Sequence, residues 1–475
     1  MTENQLVDSQ TPRVELSGAA RRRFLLPLAL AQFICSFAGS NMNVMINDIS
    51  EDLDTNVQGV QLAITLFLLI MAILMIPASK LTDRWGRKRC FLGGLVLYGI
   101  GALLSAISPS LGVLILGNSV FEGVGTALLI PPVYILTTLA FSEITSRARA
   151  FGVISGLGGI GAAAGPLIGG LITTAISWRA AFIFQAAVIV AIILLSRRIV
   201  DPVPPDPERP FDVVGAILSA VGMFFVVLGI LQADSSGLLM VVFLSVGAAF
   251  LAGFFLYIRF RERAGKEALL STGLFKNRTS NLGLATQNAQ WLILMGTSFV
   301  VAVYLQEVRG YNAIETGAVF TAATLGLLVT SFGAERFARR RTQKALILAG
   351  FAGTLAGIGL LIGLVAAWSS VVAFVPGLLL IGLGLGLMLT PSVNLVQSSF
   401  PEEQQGEISG LSRSVSNLGS TFGTAIAGTI LVSGLTTGAY ALAMASLGVV
   451  AVIGLVAALA LPAQLGRQAV AGEAP

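Results

Sequence analysis

One acidic residue, Glu122, lies inside a long apolar stretch of the sequence and is the first candidate for chemistry. If this stretch lies in lipid, a charge there costs about 2.5 to 3.5 kcal/mol on insertion scales. We therefore expect Glu122 to face a cavity inside the protein and to be protonated part of the time. Such a carboxyl group can alternate between a proton and a cationic substrate or internal partner. The alternative is a structural glutamic acid that hydrogen-bonds to the backbone or to a neighbouring helix.

A cluster of charges lies between two apolar stretches, in the segment Ser79-Lys-Leu-Thr-Asp83-Arg84-Trp-Gly86-Arg87-Lys88-Arg89. The glycine permits a tight reversal of the chain, and the acid and the bases can form a charge network, with a helix N-terminus of another part of the protein as a further partner. Such a network would hold one end of the protein closed as a gate. The candidate gating residues are Asp83, Arg84, Gly86, Arg87, Lys88 and Arg89. The alternative, ordinary membrane-topology charges, requires neither the acid nor the glycine.

Small residues and one proline recur at short spacing further along the chain. The residues concerned are Gly161, Gly165, Pro166, Gly169 and Gly170. Small residues allow another helix to approach closely, and a proline removes one backbone hydrogen bond and permits a bend. The pattern predicts a helix that is kinked and closely packed, and general glycine-mediated packing is the alternative. A formal GxGxxG pattern in the same segment does not indicate nucleotide binding, because no strand precedes it.

Polar and aromatic residues in two other apolar stretches are candidates for the wall of a substrate cavity. Gln287, Gln290 and Trp291 fall near one face of the ninth stretch if it is helical. Asn41 and Asn43 lie in the outer part of the first stretch. For any one of them, hydrogen bonding to a neighbouring helix is an equally good interpretation.

The elements that position these residues must be membrane helices. Hydrophobic residues make up 55% of the chain, charged residues 11%, and the mean hydropathy is +0.86. No single water-soluble core could bury so much apolar surface. Apolar stretches, each near the roughly 20 residues that cross hydrocarbon as a helix, centre near residues 35, 68, 99, 125, 160, 188, 222, 247, 294, 324, 355, 382, 420 and 450. The sequence predicts an all-α integral membrane protein with fourteen transmembrane helices.

The basic residues indicate the orientation of these helices. They cluster after the even-numbered stretches, whereas the other connections carry Arg179 and Arg309. By the positive-inside rule, the clusters and both chain termini are cytoplasmic. We expect a multi-pass protein of the plasma (inner) membrane. The net charge of +5 then serves membrane topology, and we expect no nucleic-acid partner.

Two polar stretches divide the chain. The proline-rich segment 201–210 is too polar for a helix in lipid, and a second polar segment, 259–281, precedes the last six apolar stretches. We therefore expect a cytoplasmic tail at 1–23, a six-helix bundle at 24–200, linkers with two inserted transmembrane helices at 201–280, a second six-helix bundle at 281–461 and a cytoplasmic tail at 462–475. Two such halves usually place a substrate path between them near the bilayer midplane.

The segment around Asp83 resembles the signature loop of the major facilitator superfamily, and a weaker copy occupies residues 333–340. The glycine-proline segment resembles the antiporter motif of that superfamily's export branch. Shorter matches are Trp178-Arg179, Phe211-Asp212 and Tyr304-Leu-Gln306. Together these residues resemble the fourteen-span drug:proton antiporter family over residues 21–461. The resemblance implies a major facilitator fold, two six-helix bundles with two extra inserted helices, and proton-driven export of lipophilic, often cationic, compounds.

The sequence departs from that family at two coupling positions. Ala38 stands where the pattern has an acid in the first helix, and Ser119 stands where it has an arginine in the fourth. Glu122, at a position where the family has glutamine, is therefore the leading proton-coupling residue. We predict export of a small lipophilic or amphipathic compound, with protons and membrane lipids as further partners and no obligate protein partner. The alternatives are a proton-independent facilitator, a lipid or metabolite transporter, and a membrane sensor that binds its ligand without transport.

Other activities find no support in the sequence. Cys35 and Cys90 lie in or beside apolar stretches and form no disulfide or metal-binding pattern. The chain contains no histidine, which leaves carboxylates as the proton carriers near neutral pH. It also contains no hydrolase or ATP-binding motif. We therefore expect no enzyme activity, no cofactor and no metal site.

Overall fold

The computed structural model describes residues 18–141, 144–197, 199–201, 204–208, 210–233, 236–401 and 404–462. All regular secondary structure in these ranges is helical. Fourteen of the described helices are long and apolar enough to cross a membrane, and each contains one of the predicted centres. They are α1 Arg22–Val44, α2 Val57–Trp85, α3 Arg87–Ala106, α4 Leu111–Ala140, α5 Arg149–Ala175, α6 Trp178–Ser196, α7 Val213–Leu231, α8 Gly237–Arg263, α9 Arg278–Val308, α10 Ala313–Thr330, α11 Gln343–Ala367, α12 Val371–Gln397, α13 Glu407–Val432 and α14 Thr437–Leu459.

Several membrane helices continue beyond these limits. The helical segment of α1 begins at Gly18, that of α5 at Ile144 and that of α13 at Gln405, and the helix of α10 continues to Arg340. A short helix, Ile46–Asp52, connects α1 to α2. The side chains of the predicted second signature segment at 334–340, and most of the two predicted tails, lie outside what the structure describes.

Polar residues define where many of the helices begin. The first backbone N–H groups of a helix lack intrahelical partners, and a side-chain oxygen at the N-cap accepts from one of them. Such caps stand before several membrane helices, among them Asn56, Ser177, Asp212, Ser236, Asn277, Thr342 and Thr436. The short polar connections between apolar stretches therefore act as helix start signals.

The helices pack into two six-helix bundles. In the first bundle, α1 packs on α5, and α4 packs on both α2 and α3. In the second bundle, α9 packs on α13, and α12 packs on both α10 and α11. The two bundles, called here the N-terminal and C-terminal halves, meet along two helix pairs, α2 with α13 and α5 with α10.

The two inserted helices, α7 and α8, form a peripheral hairpin. They pack on each other, and α7 also contacts α2 and α13, one helix from each half. Only 11% of the most apolar window of α8 is buried, the smallest share among the fourteen spans described above. A helix that is apolar on its exposed sides faces lipid, and α8 therefore lies at the outside of the protein.

Candidate functional site

A small closed cavity lies between the two halves. We call the end of the protein that carries Gly86, between α2 and α3, the basic end, and the other end the opposite end. The cavity is lined by residues of α1, α2 and α4 from one half and of α9 and α13 from the other. Its volume of about 30 Å3 has room for no more than a few water molecules. This conformation is therefore closed, and a larger ligand requires the halves to separate.

The basic end is closed by contacts between α2 and α13. The Lys80 ammonium lies 2.5 Å from the carboxylate of Glu407. Deeper in the protein, the Ser414 hydroxyl donates a hydrogen bond to the Ala72 carbonyl over 2.7 Å. These contacts join the two halves, so an opening at this end has to break them.

The opposite end is closed by contacts of α1 with α9 and of α2 with α13. The amide nitrogen of Asn43 donates to the Ser298 hydroxyl over 2.9 Å, and the Gln306 amide donates to the Asn43 carbonyl over 2.8 Å. In parallel, the Gln61 amide donates to the Thr424 carbonyl over 3.2 Å. Asn43, predicted as a cavity residue, therefore forms part of the closure between the halves at this end.

Glu122 ends a π-helical turn of α4, at residues 115–122. Its side chain is completely buried. The hydroxyls of Tyr98 and Ser105 in α3 lie beside its carboxyl group. Neither carboxyl oxygen, however, has a hydrogen bond of normal geometry within the described part of the chain. π-helical turns inside α-helices are frequent at functional sites, and an unpartnered buried carboxyl is costly unless it is protonated.

The carboxyl of Glu122 lies inside the N-terminal half, next to the cavity wall. Thr126, one helical turn further along α4, lines the cavity, whereas Glu122 does not. A ring of close backbone contacts fixes this part of α4 against α3. A side chain at Gly101, for example, would meet the Gly117 carbonyl at 2.6 Å. Glu122 is thus one turn away from the position at which it would contact a ligand directly.

The two positions that carry coupling charges in the resembled family are uncharged and structural here. Ala38 is buried in α1. The Ser119 hydroxyl donates to the Ala63 carbonyl of α2 over 2.7 Å. Ser119 therefore joins two helices of the same half.

The charged segment at the basic end is organised around the start of α3. Gly86 adopts a φ of +92°, which favours glycine and permits the predicted reversal. The Asp83 carboxylate accepts from the Arg87 guanidinium over 2.6 Å. Asp201, which follows α6, accepts from the backbone N–H groups of Arg87 and Lys88 over 2.7 and 3.3 Å. This carboxylate stands at the N-terminus of α3, where the helix dipole favours negative charge.

These contacts connect the segment to its own half. Lys88 donates to the Arg197 carbonyl at the end of α6 over 3.1 Å. The Asp83 carbonyl accepts from the backbone N–H of Asp206 over 3.1 Å. The side chains of Arg84 and Arg89 are exposed. The ion pair that crosses between the halves at this end, Lys80 with Glu407, was not among the predicted gating residues.

The glycines of the predicted kink bring α5 close to two other helices. A side chain at Gly161 would meet the Phe33 carbonyl of α1 at 2.4 Å, and one at Gly165 would meet the Ser40 hydroxyl at 2.1 Å. Gly169 faces Asn41 of the same helix α1. Gly170 faces the other half, since a side chain there would meet the Ala313 carbonyl of α10 at 2.2 Å. Pro166 lies within the continuous helix of α5.

The remaining predicted cavity residues occupy different places. Trp291 lines the cavity. Gln287 accepts from the Ser412 hydroxyl over 2.7 Å, and Gln290 donates to the Ser392 hydroxyl over 2.6 Å, so both are directed to helices of their own half. Asn41 is buried against α5 and lies away from the cavity lining.

One charged residue of the cavity was missed by the sequence reasoning. Arg413 of α13 lines the cavity and is 6% exposed. Its guanidinium carbon lies 4.7 Å from the ring centre of Tyr134 in α4. A single arginine six residues inside an apolar span was the signal that could have identified it, because such charges are rare and usually functional.

The comparison with known proteins agrees with this architecture. The sequence profile of the Major Facilitator Superfamily matches residues 28–424, with a second match at 284–473. The chain belongs to this superfamily of transporters. The human organic anion transporter MFSD10 has the same fold, with a TM-score of 0.63 and 14% sequence identity over 92% of this chain and 99% of that one.

Several bacterial relatives match most of the sequence. The multidrug resistance protein Stp of Mycobacterium tuberculosis is 26% identical over 87% of this chain and 76% of its own. The puromycin resistance protein pur8 of Streptomyces alboniger is 28% identical over 89% and 83%. The riboflavin transporter RibZ of Clostridioides difficile is 25% identical over 87% and 88%.

Proposed function

We propose that this transporter exports small lipophilic or amphipathic compounds in exchange for protons. The observation that carries the proposal is the completely buried carboxyl of Glu122, unpartnered within the described residues and one helical turn from Thr126 on the cavity wall. A protonated carboxyl is compatible with such a position, and a charged one is expensive. Proton loss or gain at Glu122 would therefore change the packing of α4 at the edge of the cavity.

The relatives support the direction and the type of cargo. Stp and pur8 are named as resistance proteins, which is consistent with export of compounds that enter cells unaided. The cavity wall combines apolar side chains such as Leu68 and Met71 with polar groups, as a site for amphipathic compounds requires. Membrane lipids surround the exposed helices, and the proposal requires no obligate protein partner.

Alternating access supplies the mechanism. The contacts of Lys80 at the basic end and of Asn43 at the opposite end would break in turn as the halves, residues 24–200 and 281–461, rock about the cavity. The segment around Asp83 would brace the basic end, and the glycines of α5 would let helices of both halves move in close contact. By the positive-inside rule, the basic end and both termini face the cytoplasm across the plasma membrane.

A second candidate function is transport without protons, as a facilitator or as a lipid or metabolite transporter. It is favoured by the absence of charge at Ala38 and Ser119, and by the riboflavin transporter among the relatives. Purified protein in proteoliposomes distinguishes the two. Proton antiport predicts that an imposed pH gradient drives accumulation of a lipophilic probe and that added probe releases protons. Equal flux with and without the gradient would contradict it.

A further inference from the structure

Arg413 is an unusual residue because a permanent positive charge lies between membrane helices without a counter-ion among the residues that the structure describes. Its Nε and Nη2 atoms are buried and make no hydrogen bond within the described part of the chain. None of the described residues that line the cavity is acidic. A buried cation in this position is costly unless an anion or an aromatic ring compensates it.

The ring of Tyr134 gives part of that compensation and holds the guanidinium in place. The Tyr134 hydroxyl donates to the Gln32 side chain over 3.1 Å, and its ring stacks on Phe151 with 5.8 Å between ring centres. The ring is therefore fixed, and the guanidinium lies over its face. A guanidinium that stacks on a ring keeps the N–H groups at its edge free to donate hydrogen bonds.

The position of Arg413 places it on the side of the cavity that becomes accessible when the basic end opens. It lies two turns inside α13, between the Lys80–Glu407 pair at the basic end and the centre of the cavity. Tyr134 belongs to the N-terminal half and Arg413 to the C-terminal half, so an opening at the basic end separates them. The guanidinium then loses its aromatic partner just as the cavity becomes accessible.

We propose that Arg413 binds the negatively charged group of an amphipathic substrate, and that the substrates of this transporter are lipophilic organic anions. The proposal rests on the proposed function only in taking the central cavity as the substrate path. A carboxylate or a phenolate would pair with the planar guanidinium, and the apolar part would lie against Leu68, Met71 and Trp291. Gln32 of α1 and Asn417 of α13 also line the cavity and offer further polar contacts.

Three probes that share one aromatic body test the preference for charge. Purified full-length protein is titrated in detergent with 1-pyrenebutyrate, 1-pyrenebutanol and 1-pyrenebutyltrimethylammonium, and binding is followed by energy transfer from Trp291, with Trp291→Phe as background. We expect the acid to bind more tightly than the cation by a factor of about ten or more. Arg413→Gln should remove that difference, and Arg413→Lys should keep part of it. The alcohol serves as the control for an intact cavity, because its affinity should change little in either variant.

Other outcomes overturn the proposal. Equal or weaker binding of the acid by the wild type, or no measurable binding of any probe, excludes anion recognition at this site. An equal loss for all three probes in Arg413→Gln would make the residue a structural contact of Tyr134. Because these titrations need neither a pH gradient nor turnover, they are independent of the flux experiment. If flux does not respond to the pH gradient but the acid still binds more tightly, only proton antiport is contradicted. If the gradient drives flux but the acid shows no binding preference, only anion recognition is contradicted.

Discussion

The Lys80 ammonium of α2 lies 2.5 Å from the Glu407 carboxylate of α13 and joins the two halves at the basic end. The second oxygen of Glu407 accepts from the backbone N–H of Ser271 over 3.3 Å. The carboxylate thus connects α2, α13 and the segment that follows α8. Because both side chains are only partly exposed, at 14% and 23%, solvent screens the pair less than an ordinary surface ion pair.

Removal of this ion pair should favour opening of the basic end. In Lys80→Gln, loss of the ion pair would remove about 1 kcal/mol of stabilisation from the closed state. The population of the open state would then rise about fivefold. Cys35 lines the cavity and reports the change. In a Cys90→Ser background, the rate of Cys35 alkylation in detergent should rise by that factor.

Lys266 is the matched control for this experiment. It is an exposed cation near the same end, so Lys266→Gln should leave the alkylation rate of Cys35 unchanged. If Lys80→Gln and Lys266→Gln give the same rate as the parent, the ion pair does not contribute to closure.

Glu122→Gln should separate transport from its proton dependence. The amide has the size of the protonated acid but cannot release a proton, so accumulation driven by a pH gradient should fall by about tenfold or more. Folding should be preserved because the buried group stays neutral. Flux in proteoliposomes measures the accumulation, and gel filtration of the purified variant checks its folding. Glu315→Gln, at the exposed start of α10, is the control, and proton-driven flux by Glu122→Gln at the parent rate would exclude the proposed role.

The close approach of α5 to α1 predicts that alanine substitutions at two glycines of α5 differ in their effect on stability. Gly161→Ala places a methyl group 2.4 Å from the Phe33 carbonyl, and overpacking of this kind costs about 1 to 3 kcal/mol. Gly156→Ala, on the same helix, enters open space. The unfolding temperature in detergent should fall for the first variant and should stay at or slightly above the parent value for the second, because alanine favours the helix more than glycine does. Equal temperatures would mean that α1 and α5 can move apart at little cost.

The orientation in the membrane can be tested with single cysteines. In a background without Cys35 and Cys90, Ser110→Cys lies at the opposite end, between α3 and α4, and Lys266→Cys lies at the basic end. A membrane-impermeant maleimide should label the first on intact cells and the second only after permeabilisation. The reverse pattern would place the basic end outside the cell.

The helices were predictable because each depends on local composition alone. Every predicted centre fell inside a span, since a run of apolar residues of this length has few alternatives to a membrane helix. The reversal at Gly86 was predictable for the same reason, because it follows from one residue and its neighbours. The cap of α3 by Asp201 was not, because it depends on a contact across 114 positions of the sequence.

The wall of the cavity was less predictable because it depends on how helices rotate about their axes. Gln287, Gln290 and Trp291 lie on nearby positions of α9, yet only Trp291 lines the cavity. The two glutamines bond to serines in α13 and α12, which the sequence of α9 cannot reveal. Arg413 was overlooked because it lies near the beginning of an apolar stretch, where an arginine resembles an ordinary flanking charge.

The position of the α7–α8 hairpin links the transport cycle to the thickness of the bilayer. Since α7 contacts α2 of one half and α13 of the other, relative rotation of the halves must shear at least one of these surfaces. The Ser271–Glu407 contact would keep the end of the hairpin with α13 when the Lys80–Glu407 pair breaks. A thinner or thicker bilayer would tilt the exposed α8, and α8 packs on α7, the helix of the hairpin that contacts both halves.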